Sequence, residues 1–144
     1  MYNIYEAAEE LKEVNAWRST PYPVHDTDCI KIVVRSIKQL FVDVNHPDEY
    51  NRTLFITDED NVLYYDYDFD ILQETYIFII SKMGFLNFVL SDLSGDGAVS
   101  YTTDALSVTG AKEGYKSIQQ ELDTLEQERI RVFHKMMARD TNES

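Results

Sequence analysis

The chain is poor in cysteine, proline and cations, and each shortage narrows what it can be. Cys29 is its only cysteine, which excludes an internal disulfide and every CxxC-type metal site and leaves the thiol as a small buried hydrophobe. The competing reading, a nucleophile beside His25, is weaker because Cys29 opens an apolar helical stripe. Three prolines stand at positions 21, 23 and 47, so only "RSTPYPVHD" and "NHPDEYNR" are barred from continuing a helix. The most apolar run, "YIFIISKMGFLNFVL" at 76–90, is interrupted by Ser81, Lys82 and Asn87 and is too short to span a bilayer. The opening "MYNIYEAAEELKEV" lacks the basic start and apolar core of a signal peptide, so neither membrane insertion nor export by that route is expected. Glycine-rich phosphate cradles and nucleophile elbows are absent, and His25, His46 and His134 form no ligand spacing. No enzyme, cofactor or metal centre is predicted.

Cations are the scarcest charge. Thirteen Lys and Arg face 26 Asp and Glu, a net charge of −13. No basic stripe is available to replace the counterions of a phosphate backbone, so direct nucleic-acid binding is not expected. Between residues 43 and 74 there are ten acids against Arg52 alone. With 44% hydrophobic and 27% charged residues the chain suits one folded, soluble domain spanning 1–144.

Periodicity predicts a mainly α protein, a bundle of about four helices with a small β-hairpin. Ile4, Ala7, Ala8 and Leu11 mark a first helix over 3–16. Asp26 or Thr27 caps a second, whose stripe is Ile30, Val33, Val34, Ile37, Leu40, Phe41 and Val44, with Lys31, Arg35 and Lys38 opposite. "LFITDEDNVLYYDYDF" at 54–69 suggests a hairpin turning at "DEDN". In its second arm Tyr65, Tyr67 and Phe69 alternate with Asp66, Asp68 and Asp70, an aromatic face against an acidic one. The aromatics suit either core or interface. The acidic row could attract a divalent cation, although a solvated face accounts for it as well. From Asp70 to about Leu93 apolar residues nearly encircle a third helix, which places it at the bundle's centre. A last helix over 112–139 carries Tyr115, Ile118, Leu122, Leu125, Arg129, Val132, Phe133 and Met136 at steps of three and four.

Between the last two helices lies "SDLSGDGAVSYTTDALSVTG". Asp92, Ser94, Asp96 and Gly97 stand at positions one, three, five and six of an EF-hand loop, but the twelfth position is Thr103 instead of glutamate. Without that bidentate ligand calcium is a poor reading. An eighteen-residue connection over 94–111, weakly charged and rich in small residues, is longer than an antiparallel helix pair needs and suggests an interaction loop.

The segment "SYTTDALSVTGAKEGYKSIQQELDTLEQERIRVFHKM" after a very apolar helix resembles the head-to-tail connector proteins of tailed bacteriophages, over roughly residues 54–137. The hairpin expected at 54–69 departs from the plainest helical version of that family. The resemblance implies a ring-forming subunit of the neck that joins portal and tail, contacts the portal and other neck or tail proteins, and extends the DNA channel without binding DNA specifically. Its place would be the virion, after assembly in the host cytoplasm. Partner contacts are then expected from Val99, Tyr101, Thr102, Thr103, Asp104, Leu106, Val108, Arg129, Phe133, Lys135 and Met136. Asp58, Glu59, Asp60, Asp66 and Asp68 would line the channel and repel passing phosphates. Two other classes compete: an acidic regulatory module or DNA mimic that inhibits a basic protein, and a metal-dependent enzyme built on the aspartate row.

Overall fold

The computed structural model describes the backbone of residues 1–14, 26–100 and 105–143, and the side chains of 1–14, 26–90 and 116–139. The described elements run β1 (Tyr2–Asn3), α1 (Ile4–Val14), α2 (Asp26–Asp43), α3 (Pro47–Arg52), β2 (Phe55–Thr57), β3 (Leu63–Tyr65), α4 (Ile71–Ser100) and α5 (Ala105–Glu143). The architecture is mainly α with a small antiparallel sheet, as periodicity predicts.

The apolar helix is the hub. α4 packs against α5, α2 and α1 and buries Tyr76, Ile77, Ile79, Phe85, Leu86, Val89 and Leu90, side chains pointing in several directions that only a central position can cover. α2 buries Cys29, Ile32, Val33, Ser36, Ile37, Leu40 and Phe41, a run of three- and four-residue steps. Ile30, Val34 and Val44 are only half-buried, so the inward face is rotated from the expected stripe because α2 is flanked by both α1 and α4. Gly84 makes that contact close: a Cβ there would lie 3.1 Å from Ile32 Cγ2.

Backbone ends are closed by local chemistry. Asn3 accepts the Glu6 N–H at 3.0 Å and caps α1. At the end of α2 the His46 N–H donates to Phe41 O and the Asn45 N–H to Val42 O, with Asn45 at φ 63°. This is the Schellman pattern, with asparagine tolerating the left-handed position that glycine usually takes. Pro47 then starts α3, where its missing N–H is harmless. The segment "NHPDEYNR", expected only to end a helix, therefore also begins one.

The sheet has the order β1-β3-β2. Tyr65 is opposite Tyr2 on one side and Phe55 on the other and is fully buried. The expected hairpin forms, with its turn at Asp58–Asn61. Asn61 N–H donates to Asp58 O, Asn61 takes φ 63°, and the Asp58 carboxylate accepts the N–H groups of Asp60 and Val62 at 2.9 Å. The sheet's third strand comes from Tyr2 and Asn3, of which Asn3 was expected in the first helix.

Two expectations are corrected. The connection over 94–111 is not a long loop: α4 continues to Ser100 and α5 begins at Ala105. No proline interrupts that stretch, and each glycine costs a helix only about 1 kcal/mol relative to alanine. Asp92, Ser94 and Asp96 consequently sit on helical backbone, not in a calcium-binding loop. The aspartate row is also not a strand face. β3 ends at Tyr65, where the Tyr67 N–H turns back to Tyr65 O at 2.8 Å, a three-residue turn. The alternation survives in exposure, with Tyr67 and Phe69 half-buried and Asp66, Asp68 and Asp70 exposed.

Candidate functional site

The expected partner residues divide by where the fold puts them. Met136 is 1% exposed and part of the core, and Phe133 packs on it with its ring 6.3 Å from that of Tyr76. Met136 is thus enclosed by the chain itself, whereas Phe133 is half-buried and keeps part of its surface open. Lys135 is exposed. Leu106 and Val108 lie on α5 and Val99 on α4, with side chains outside the described residues. Tyr101, Thr102, Thr103 and Asp104 lie outside them altogether, as does His25.

Arg129 faces inward and locks three helices. Its guanidinium donates from Nε to Glu126 Oε2 at 2.9 Å and from Nη2 to Glu126 Oε1 at 2.5 Å, a two-pronged pair within α5. Its Nη1 reaches the hydroxyl of buried Tyr76 at 3.0 Å, and that hydroxyl donates to Asp43 Oδ2 of α2 at 2.5 Å. Gln39 donates to the other Asp43 oxygen at 2.7 Å. Burial, then the bond to Asp43, pushes the Tyr76 phenol up to about 12. The Arg129 hydrogen bonds hold Glu126 below the usual carboxylate range. This is a fastener with every polar group engaged, and no signal in the sequence announces it beyond a cation placed on an apolar stripe.

The aspartates that could have formed a row go separate ways. Asp68 pairs with the Met1 ammonium at 2.8 Å. Asp70 caps α4, accepting the Gln73 N–H at 2.9 Å while Gln73 Oε1 accepts the Asp70 N–H at 3.1 Å, a reciprocal capping box. The same carboxylate meets Arg139 of α5. Among the described residues no group of three His, Cys, Asp or Glu is arranged to hold a metal ion. Cys29 is 1% exposed, and desolvation raises its thiol, as the buried-hydrophobe reading expects.

At the sheet end of the molecule, exposed acids and exposed apolar side chains lie together. Asp58, Glu59, Asp60, Asp66 and Asp68 are all exposed there, on the hairpin turn and just beyond β3. Beside them Leu54 (68%), just before β2, and Phe55 (41%) and Ile56 (36%) of β2 are exposed. Behind this surface lies an aromatic cluster in which Phe41, Tyr65, Tyr67 and Phe69 have ring centroids 4.7–6.3 Å apart. It gives the short strands a rigid backing. Such a surface can bind by apolar contact and by charge. A second acidic feature, a cleft of about 400 Å³ between α1 and the start of α4, is lined by Glu6, Glu10, Glu74 and Tyr2.

No described helix is long and apolar enough to cross a membrane. Comparison with protein-family models, with curated proteins and with solved structures finds no match.

Proposed function

We propose that this chain is a structural assembly subunit, a ring-forming head-to-tail connector of a tailed-phage neck that joins portal and tail around the DNA channel. The observation that carries the reading is the sheet end of the molecule, where five exposed acids adjoin an open apolar edge. An acidic wall repels phosphates and lets a duplex pass without sticking. The apolar edge beside it suits protein contacts. Light scattering across a concentration series, with and without the cognate portal protein, tests the proposal. The expected result is a ring, either alone or on mixing with portal; a species that stays monomeric in both conditions overturns it.

The same acids also favour a second reading, an acidic module or DNA mimic that inhibits a basic protein. That activity would show as tight, steeply salt-dependent binding to a DNA-binding protein and no ring.

A further inference from the structure

Among the described residues, no strand pairs with the outer edge of β2. The Asp66 N–H donates to Leu54 O at 3.0 Å and the Asp58 N–H to Val62 O at 3.1 Å. In an antiparallel ladder such pairs alternate, so Leu54, Ile56 and Asp58 turn their backbone groups toward β3, and Phe55 and Thr57 turn theirs away. Away from β3 the sheet ends among the described residues, with β2 as the outermost strand. Two N–H and two C=O groups therefore face outward, flanked by the exposed side chains of Leu54, Phe55 and Ile56. No proline or lysine blunts this edge, the usual protection against strand addition.

Charge selects the occupant. Residues 47–60 carry Asp48, Glu49, Asp58, Glu59 and Asp60 against Arg52, a net of −4 around a three-residue strand. A second copy would lay the same acids against these, an arrangement that like charges oppose. We propose that the β2 edge receives an extended segment of a different protein, with alternating apolar residues and Lys or Arg at its ends, adding a fourth strand to the sheet. The proposal rests on the assembly reading above and names the chemistry of its partner. Main-chain hydrogen bonds to Phe55 and Thr57 set the register, apolar side chains pack over Leu54 and Ile56, and the flanking cations meet the turn acids.

The probe is a short synthetic peptide of alternating valine and threonine with two lysines at each end, titrated into the full-length, isotope-labelled chain at low salt. Amide exchange at Phe55 and Thr57 should slow by about tenfold on saturation, and binding should weaken as salt rises. Thr57→Pro removes an outward N–H but no bond to β3, so it should abolish binding while leaving the melting temperature unchanged. A Glu59→Lys, Asp60→Lys double variant keeps the backbone edge and should weaken binding by roughly threefold or more. Several outcomes overturn the proposal: no protection at saturating peptide, protection elsewhere on the molecule, or binding indifferent to both variants. So does protection that grows with protein concentration without peptide, which would make a second copy the occupant. Assembly with portal that survives Thr57→Pro removes the edge from the contact and spares the connector reading; failure of the unmodified chain to assemble removes that reading instead.

Discussion

At the scale of single residues, the polar groups inside this protein differ in whether the fold satisfies them. Ser36 Oγ is buried and donates to Ile32 O at 2.8 Å, whereas Ser81 Oγ, equally buried, has no hydrogen-bond partner among the described residues. Ser81→Ala should therefore stabilise the protein by about 1 kcal/mol, read as a higher denaturant midpoint with an unchanged slope. Tyr76 is the opposite case, since its hydroxyl serves both Asp43 and Arg129. Tyr76→Phe should cost about 1–2 kcal/mol at neutral pH by leaving those two charged groups short of a partner. The sign of its pH dependence follows from the raised phenol. Between the ordinary tyrosine value and about 12 the folded state keeps a proton that the unfolded chain has lost, so stability falls as pH rises through that window. Urea melts from pH 9 to 12 should show a shallower alkaline decline in Tyr76→Phe than in the parent; equal slopes would contradict the assignment. Arg129, Phe133 and Met136 were legible as members of one helical stripe. That the stripe faces α4 of the same chain was not, because periodicity says which residues look the same way and nothing about what they look at.

Among the elements, termini and turns were the most legible features where a side chain closes its own backbone. Asp70 and Gln73 form a capping box at three-residue spacing, and the carboxylate also holds Arg139. Asp70→Ala should destabilise by about 1–2 kcal/mol, measurable by thermal unfolding. In the hairpin, Asn61 occupies a left-handed position that a β-branched residue resists. Asn61→Val should cost about 1–2 kcal/mol, and Asn61→Gly should be tolerated; similar losses in both would show that the turn conformation is not what matters. The stretch from 94 to 111 was the least legible element. Its glycines and serines look like punctuation, yet α4 and α5 run through most of it. Propensity is a weak preference that neighbouring helix can override. β1 escaped notice for a related reason: two residues carry no period, and only pairing with β3 makes Tyr2 and Asn3 a strand.

Across the whole molecule, a net charge of −13 acts on every compact state through self-repulsion. Ion pairs such as Lys12 with Asp26, at 2.8 Å between exposed side chains, offset little of it. Raising ionic strength from about 0.01 to 0.15 M shortens the screening length several-fold, so the melting temperature should rise; a fall would mean that ion pairs outweigh the repulsion. Composition, periodicity and the count of prolines were enough to determine a mainly helical domain, its apolar central helix, the hairpin and the concentration of acids, because each of these depends on residues close together in the chain. Only the tertiary structure decided which acids cap, pair or lie exposed, that Arg129 bolts α5 to Tyr76 and Asp43, and that β2 lies at the rim of the sheet among the described residues. Those outcomes depend on which distant segments meet, and burial and pairing are settled by that meeting.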